Sequence, residues 1–321
     1  MAKRKLSKQQ KRRINQSQKA ITLDHEDHHP GLVIAHQGGN VLVETASSKV
    51  LECSVRTNLG SIVCGDSVIF LNEENASPTI IAISPRQNLL QRKDGFDQIK
   101  SVAANVSQLL ICLSVEPEPN LFLLDQYLLS ASQQNIYPVI VLNKIDLLDN
   151  ADTDPFELKK IYQPLGYTLC QTSVKTDKNI DQLKTLCQSN TSILSGVSGV
   201  GKSSLTKALL PEINIKIGEI SNFNREGKHT TRTSRLYHLQ DGGQLIDTPG
   251  IRGFNPVFDP SQTISSGFIE IHHHAESCKF HNCKHTVEPQ CSVITAVNNG
   301  EIATSRYQHF IRLQQEATLA C

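Results

Sequence analysis

The sequence predicts a three-part chain: a small N-terminal β-barrel, a parallel α/β domain, and a C-terminal metal-binding module richer in helices. Three observations predict it. Five short β-type runs crowd residues 31–84, strands then alternate with helices up to about residue 250, and a Cys-Cys-His-Cys set spans fourteen residues near the C-terminus. The boundaries expected from these patterns are 1–30 for a disordered arm, 31–85 for the barrel, 95–255 for the α/β domain and 256–321 for the metal module.

The arm carries eight cations, Lys3 to Lys19, before the first acid at Asp24; subtracted from a net charge of +1, they leave the rest of the chain at −7. Such a block cannot bury enough apolar surface to fold alone, and it suits a polyanion such as RNA. His25, His28 and His29 follow and read as an exposed linker rather than a metal site.

In the barrel region the runs GLVIA, NVLVET, KVLECSV, DSVIFL and TIIAIS are separated by turn formers such as Gly38-Gly39-Asn40 and Gly65-Asp66. Five strands in so short a segment fit an OB-fold, a barrel that commonly binds oligonucleotides, with an SH3-like barrel as the alternative. Pro85 to Asp94 reads as the linker into the next domain.

From about Asn105 the apolar strands VSQLLICLSV, YPVIVL, YTLCQTS, TSILS and QLI alternate with helical segments such as Leu121 to Gln134. That alternation is the signature of a largely parallel sheet covered on both faces. No apolar run reaches the roughly 18 residues of a membrane span, and no secretory leader is visible, so a cytoplasmic protein is expected. In that reducing compartment the nine cysteines are not expected to form disulfides.

Gly196, Val197, Ser198, Gly199, Val200, Gly201, Lys202, Ser203 and Ser204 match the phosphate-loop pattern, with a strand before and a helix after. Glycines turn backbone N–H groups inward around phosphate oxygens, and the helix start adds positive potential. Lys202 would reach the β and γ phosphates, and Ser203 would place its hydroxyl on magnesium. Downstream, Asp247-Thr248-Pro249-Gly250 ends a strand. Asp247 is thereby a magnesium candidate, and Gly250 offers an N–H to the γ-phosphate.

Upstream of the phosphate loop lies Asn143-Lys144-Ile145-Asp146. A carboxylate accepts paired hydrogen bonds from N1–H and N2–H₂ of guanine, whereas adenine would leave it desolvated and unpaired. Asp146 therefore selects GTP over ATP, Asn143 supports the base loop, and Lys144 lies along the ring. Ser173, Val174 and Lys175 follow another strand and would close over the base. Near the C-terminus, Cys278, Cys283, His285 and Cys291 supply three thiolates and an imidazole, a set suited to a closed tetrahedral structural zinc site. His272, His273, His274 and His281 are competing ligands by chemistry alone.

With the base-reading segment ahead of the phosphate loop, the chain resembles the circularly permuted GTPases, and most closely the RsgA family of small ribosomal subunit biogenesis GTPases. The resemblance runs from about residue 30 to the cysteine-histidine knuckle. It implies GTP hydrolysis stimulated by the 30S subunit during its late maturation, contact with 16S rRNA, a magnesium ion with GTP, one structural zinc, and action as a monomer. Gly227 to Thr231 resembles the family's first switch, in which a threonine completes the magnesium shell; Thr231 is favoured over Thr230. Ile251 stands where Ras-like enzymes carry a water-orienting glutamine, so His229 is the candidate for positioning the water. An rRNA-binding factor with a merely structural nucleotide is the competing function. The reversed order also predicts that the segment after Asp247 passes nucleotide state to the C-terminal module.

Overall fold

The computed structural model describes residues 27–37, 39–73, 76–93, 98–150, 155–211, 234–248, 255–257, 259 and 262–320. The basic arm, the segment holding His229 and Thr231, and Gly250 lie outside the described residues.

Strands β1 (His28–Gln37), β2 (Asn40–Thr45), β3 (Val50–Val55), β4 (Ser67–Leu71) and β5 (Thr79–Ile83) close into one circuit, β1-β2-β3-β5-β4 and back to β1. Only β3 and β5 pair in parallel, the non-sequential pairing of a five-stranded Greek-key OB barrel. The alternation of each strand turns Val33, Val41, Val43, Cys53, Val68, Phe70 and Ile80 inward. Within the barrel β1 pairs with both β2 and β4, and its register shift between Val33 and Ala35 is a bulge that bends it around the barrel. It begins earlier than the histidine patch implied: His28 and His29 are strand residues, with the His29 ring 5.7 Å from that of Phe70.

The expected linker is partly strand. β6 (Leu89–Lys93) and β7 (Ile99–Ala104) form a hairpin that the later β14 (Asn255–Pro256) joins as a third strand. LLQRK has no two-residue alternation, so its pairing left no local signal.

The α/β domain is built on β8 (Gln108–Ser114), β9 (Tyr137–Asn143), β10 (Thr168–Gln171), β11 (Thr191–Ser195), β12 (Arg235–His238) and β13 (Gln244–Asp247). Their order is β10-β9-β8-β11-β13-β12, parallel except for β12. Leu109, Ile111 and Leu113 of β8 join one core cluster while Leu110 and Cys112 join another, so the two faces are separately buried, as a doubly covered parallel sheet requires. The covering helices are α1 (Leu121–Gln133), α2 (Pro155–Tyr162), α3 (Ile180–Cys187) and α4 (Lys202–Leu209). Asn120 caps α1 by accepting a hydrogen bond from the Leu123 amide at 2.9 Å.

Helices α5 (Ile269–Ala275), α6 (Ser292–Asn298) and α7 (Thr304–Ala320) form the C-terminal module. Its core of Phe268, Ile271, Val293, Ala296, Ile302, Phe310 and Leu313 is completed by Leu129 of α1. No helix among the described residues is long and apolar enough to cross a membrane.

Candidate nucleotide and metal sites

β11 sits at the centre of the parallel sheet, between β8 and β13. Ile193 pairs with Ile246, so Gly196 and Asp247 leave the same edge of the sheet on adjacent strands. The tip of β9, with Asn143, emerges at that edge on the other side of β8. Carboxyl ends of parallel strands are where α/β sheets bind ligands, and here three motifs distant in sequence meet there.

The phosphate loop is shaped by two glycines. Gly196 has φ +140°, and a Cβ there would lie 2.2 Å from the Cys112 carbonyl oxygen. Gly201, at φ +94°, would place a Cβ 2.3 Å from Asn143 Nδ2. Neither position tolerates a side chain, because the loop packs against β8 on one side and the end of β9 on the other. Asn143 fastens this contact by donating from Nδ2 to the Val200 carbonyl at 2.9 Å, and its Oδ1 accepts from Thr172 Oγ1 at 3.3 Å. The candidate base-reading segment at 143–146 and the candidate phosphate loop at 196–204 are thus joined by one buried amide.

Lys202 folds into the loop and donates from Nζ to the carbonyls of Gly196 at 2.8 Å and Val197 at 2.7 Å. Burial lowers its pKa. Ser203 and Ser204 are exposed on the first turn of α4, with Ser198 and Gly199 also exposed and Val197 and Val200 turned toward the core. Asp247, at the end of β13, has a pKa raised by burial, partly opposed by the Thr248 amide.

Around the base position, Ser173 Oγ donates to Asp146 Oδ1 at 2.5 Å, and Lys175 Nζ lies 3.9 Å from Oδ2. The Ser173 hydrogen bond, with smaller help from Lys175 and Lys144, lowers the Asp146 pKa and keeps it an acceptor. Val174 packs against the core beneath, which gives the valine in place of the usual alanine a physical reason. Lys144 adopts φ +62° and donates from Nζ to the Glu116 carbonyl at 2.6 Å. That partner is a backbone oxygen in the loop after β8, which leaves no side-chain signal in the sequence.

In the C-terminal module the ligand atoms of Cys278, Cys283, His285 and Cys291 all lie within 4.8 Å of one another. Cys278 Sγ is 3.8 Å from Cys291 Sγ, and His285 Nδ1 is 3.6 Å and 3.4 Å from these two sulfurs. The competing histidines are not in the cluster: His272 Nδ1 lies 3.3 Å from Ser265 Oγ, and His274 Nε2 lies 3.7 Å from a Glu301 oxygen. Glu288, which sequence reasoning passed over, holds the ligand loop. Its carboxylate accepts from the amides of Lys284, Thr286 and Val287, and these hydrogen bonds pull its pKa down to about 2.

Residues 83–256 match the family model described as RsgA GTPase. Two proteins called small ribosomal subunit biogenesis GTPase RsgA, from Hahella chejuensis and Saccharophagus degradans, are each 42% identical over 98% of this chain and 97% of their own. The chain belongs to the RsgA GTPase family. Among solved structures of similar proteins, YjeQ from Thermotoga maritima aligns with a TM-score of 0.72 at 31% identity, covering 91% of this chain and 99% of its own. YloQ, described as a circularly permuted GTPase, aligns with a TM-score of 0.71 at 26% identity, covering 94% and 99%. The late phosphate loop of this family member is therefore a permuted order within an ordinary sheet: β11 occupies the centre with three strands of the domain's sheet, β8, β9 and β10, already laid down on one side and two, β12 and β13, still to come on the other.

Proposed function

We propose that this RsgA-family GTPase is a nucleotide switch that binds the small ribosomal subunit, contacts 16S rRNA and assists late maturation of the particle, with turnover stimulated by the subunit. The observation that carries the reading is the Asn143 bridge: guanine-reading and phosphate-holding segments meet at one sheet edge within hydrogen-bond distance. In this reading the protein is a cytoplasmic monomer, with the GTPase domain at 95–255, the metal module at 256–321 and a barrel that ends at 85 but begins at His28 of β1 rather than at residue 31, so that the arm stops short of residue 30.

GTP would lie with its base on Asp146, between Lys144 and the Ser173–Lys175 loop. Its phosphates would replace the Gly196 and Val197 carbonyls as neighbours of the Lys202 ammonium. Ser203 and Asp247 fit magnesium, a hydroxyl on the first turn of α4 and a carboxylate at the end of β13, and the ion supplies charge neutralisation for the phosphates. Asp247 is set for that task by its surroundings: burial disfavours its ionised form, and a cation beside it offsets that burial. Thr231, His229 and Gly250 complete the scheme by resemblance, as magnesium ligand, water-positioning residue and γ-phosphate donor.

Zinc fits the second site. Bonds of about 2.3 Å to sulfur and about 2.0 Å to nitrogen in a tetrahedron imply sulfur–sulfur edges of about 3.8 Å and sulfur–nitrogen edges of about 3.5 Å. The 3.8, 3.6 and 3.4 Å separations match these edges. With all four positions filled by protein, the ion has a structural part.

Turnover with and without purified small subunits tests the reading. Strong stimulation is expected, abolished in Lys202→Ala; equal turnover would leave the nucleotide a structural part only. Asp146→Asn should cut the preference for GTP over ATP at least about 100-fold, since the guanine N–H groups lose their acceptor.

A further inference from the structure

β12 lies between the strand that carries Asp247 and the barrel. Arg235 pairs with Asp247 of β13 on one side and with Ala35 of β1 on the other. A single rung of the ladder therefore runs Ala35, Arg235, Asp247. At about 4.8 Å per strand, the barrel backbone stands only about 10 Å from that of the aspartate.

Side chains reinforce the rung. Leu236 is 3% exposed and belongs to one apolar cluster with Ile34 and Cys64 of the barrel region, Val102 of β7 and Ile246 of β13. His238 Nε2 lies 2.7 Å from Glu44 Oε2 on β2, and Ser234 Oγ donates to the Val102 carbonyl at 3.4 Å. The candidate first switch ends at Thr231, three residues before Ser234.

The C-terminal module is held differently. Arg306 of α7, 1% exposed, donates from Nη1 to Asp125 of α1 at 2.7 Å and from Nε and Nη2 to Glu270 of α5 at 2.7 and 2.9 Å. A Cβ on Gly267 would lie 2.5 Å from the Leu129 Cα, so the two backbones are in direct contact. Sliding this seam would strand buried charges, and α1 carries none of the nucleotide residues. Packed elements with one good arrangement do not deform gradually.

We propose that β12 transmits nucleotide state between Asp247 and the barrel, with Leu236, His238 and Glu44 as its positioning residues, while the C-terminal module moves as one body with the GTPase sheet. The proposal rests on the nucleotide site as read above. Ligand on the barrel then biases the strand that flanks Asp247, and by reciprocity nucleotide alters what the barrel binds by the same factor.

Hydrogen exchange of the full chain with magnesium and either GDP or a non-hydrolysable GTP analogue tests it. Exchange of residues 28–37 and 234–239 should differ between the two states, with 304–320 unchanged. A difference confined to 304–320, or none in 28–37, overturns the proposal while leaving the nucleotide site intact. No protection by either nucleotide at 143–146 and 196–204 removes the nucleotide reading and the proposal together. Leu236→Ala should keep protection at 196–204 and lose the difference at 28–37; a retained difference refutes the route through β12. If that variant fails to fold, Glu44→Gln takes its place: a reduced difference at 28–37 supports the role of the pair, and an unchanged one overturns it.

Discussion

Arg306→Met is the substitution whose cost follows most directly from the geometry. The guanidinium is buried among Asp125, whose side chain is fully buried, and Glu270, 8% exposed. Burial alone would pull its pKa down, but Asp125 and Glu270 more than reverse this and hold it charged. Methionine keeps part of the volume against Phe268, whose ring centroid lies 4.4 Å from the guanidinium carbon. What it cannot replace is charge. Glu270 loses both parallel hydrogen bonds, while Asp125 retains Tyr162 Oη at 2.8 Å and His309 Nδ1 at 2.6 Å. Removing one partner of a buried pair costs about 3–5 kcal/mol, mostly because the opposite charge stays behind. Urea unfolding followed by far-UV circular dichroism measures this, since the chain has no tryptophan to report by fluorescence. The triple variant Arg306→Met, Asp125→Asn, Glu270→Gln removes the stranded charges and should regain about half of the loss or more. A single-variant loss below about 1 kcal/mol, the range of an exposed ion pair, would refute the reasoning, as would a triple variant no more stable than the single one.

Gly201→Ala should weaken GTP binding about 10-fold or more by titration calorimetry, through strain and contact with Asn143; Gly166→Ala, at φ +85° with open space around it, should leave affinity unchanged. Asp247 has a raised pKa, so its ionised form burdens the fold at neutral pH and the burden is absent below 3.8, where it is protonated folded and unfolded alike. Asp247→Asn should therefore raise the unfolding midpoint of the nucleotide-free protein at pH 7, lose that gain as pH approaches 3.8, and weaken magnesium-dependent GTP binding; a lower midpoint at pH 7 would contradict this. Cys291→Ser should drop bound metal below one per chain by elemental analysis and speed exchange in α7, because Cys291 is also part of the core that α7 buries.

Much of the candidate site was legible in the sequence because its parts carry their own geometry. A phosphate loop is a run of consecutive residues whose glycines dictate the local backbone, and the strand-and-helix alternation around it is a periodic pattern. The four metal-cluster residues likewise lie within fourteen positions. Where local pattern was weak, reading failed: β6, β7 and β12 are short and irregular in hydrophobic period, so their strand character comes from partners elsewhere in the chain. His28 and His29 were misread for the same reason, being drawn into β1 by pairing with β4.

The sequence by itself determined the candidate phosphate loop, the candidate guanine-reading carboxylate and the Cys/His cluster that could hold a metal, since each needs only neighbouring residue types at set spacing. Tertiary structure alone decided how they are connected. Arg306 on an amphipathic helix reads as a surface cation until Asp125, 181 residues away, becomes its partner. The sequence-order argument pointed from Asp247 toward the C-terminal module, whereas the ladder places the barrel one strand beyond its neighbour, across β12. Chain order records covalent succession, but coupling follows hydrogen-bonded and packed neighbours, and those are chosen by folding.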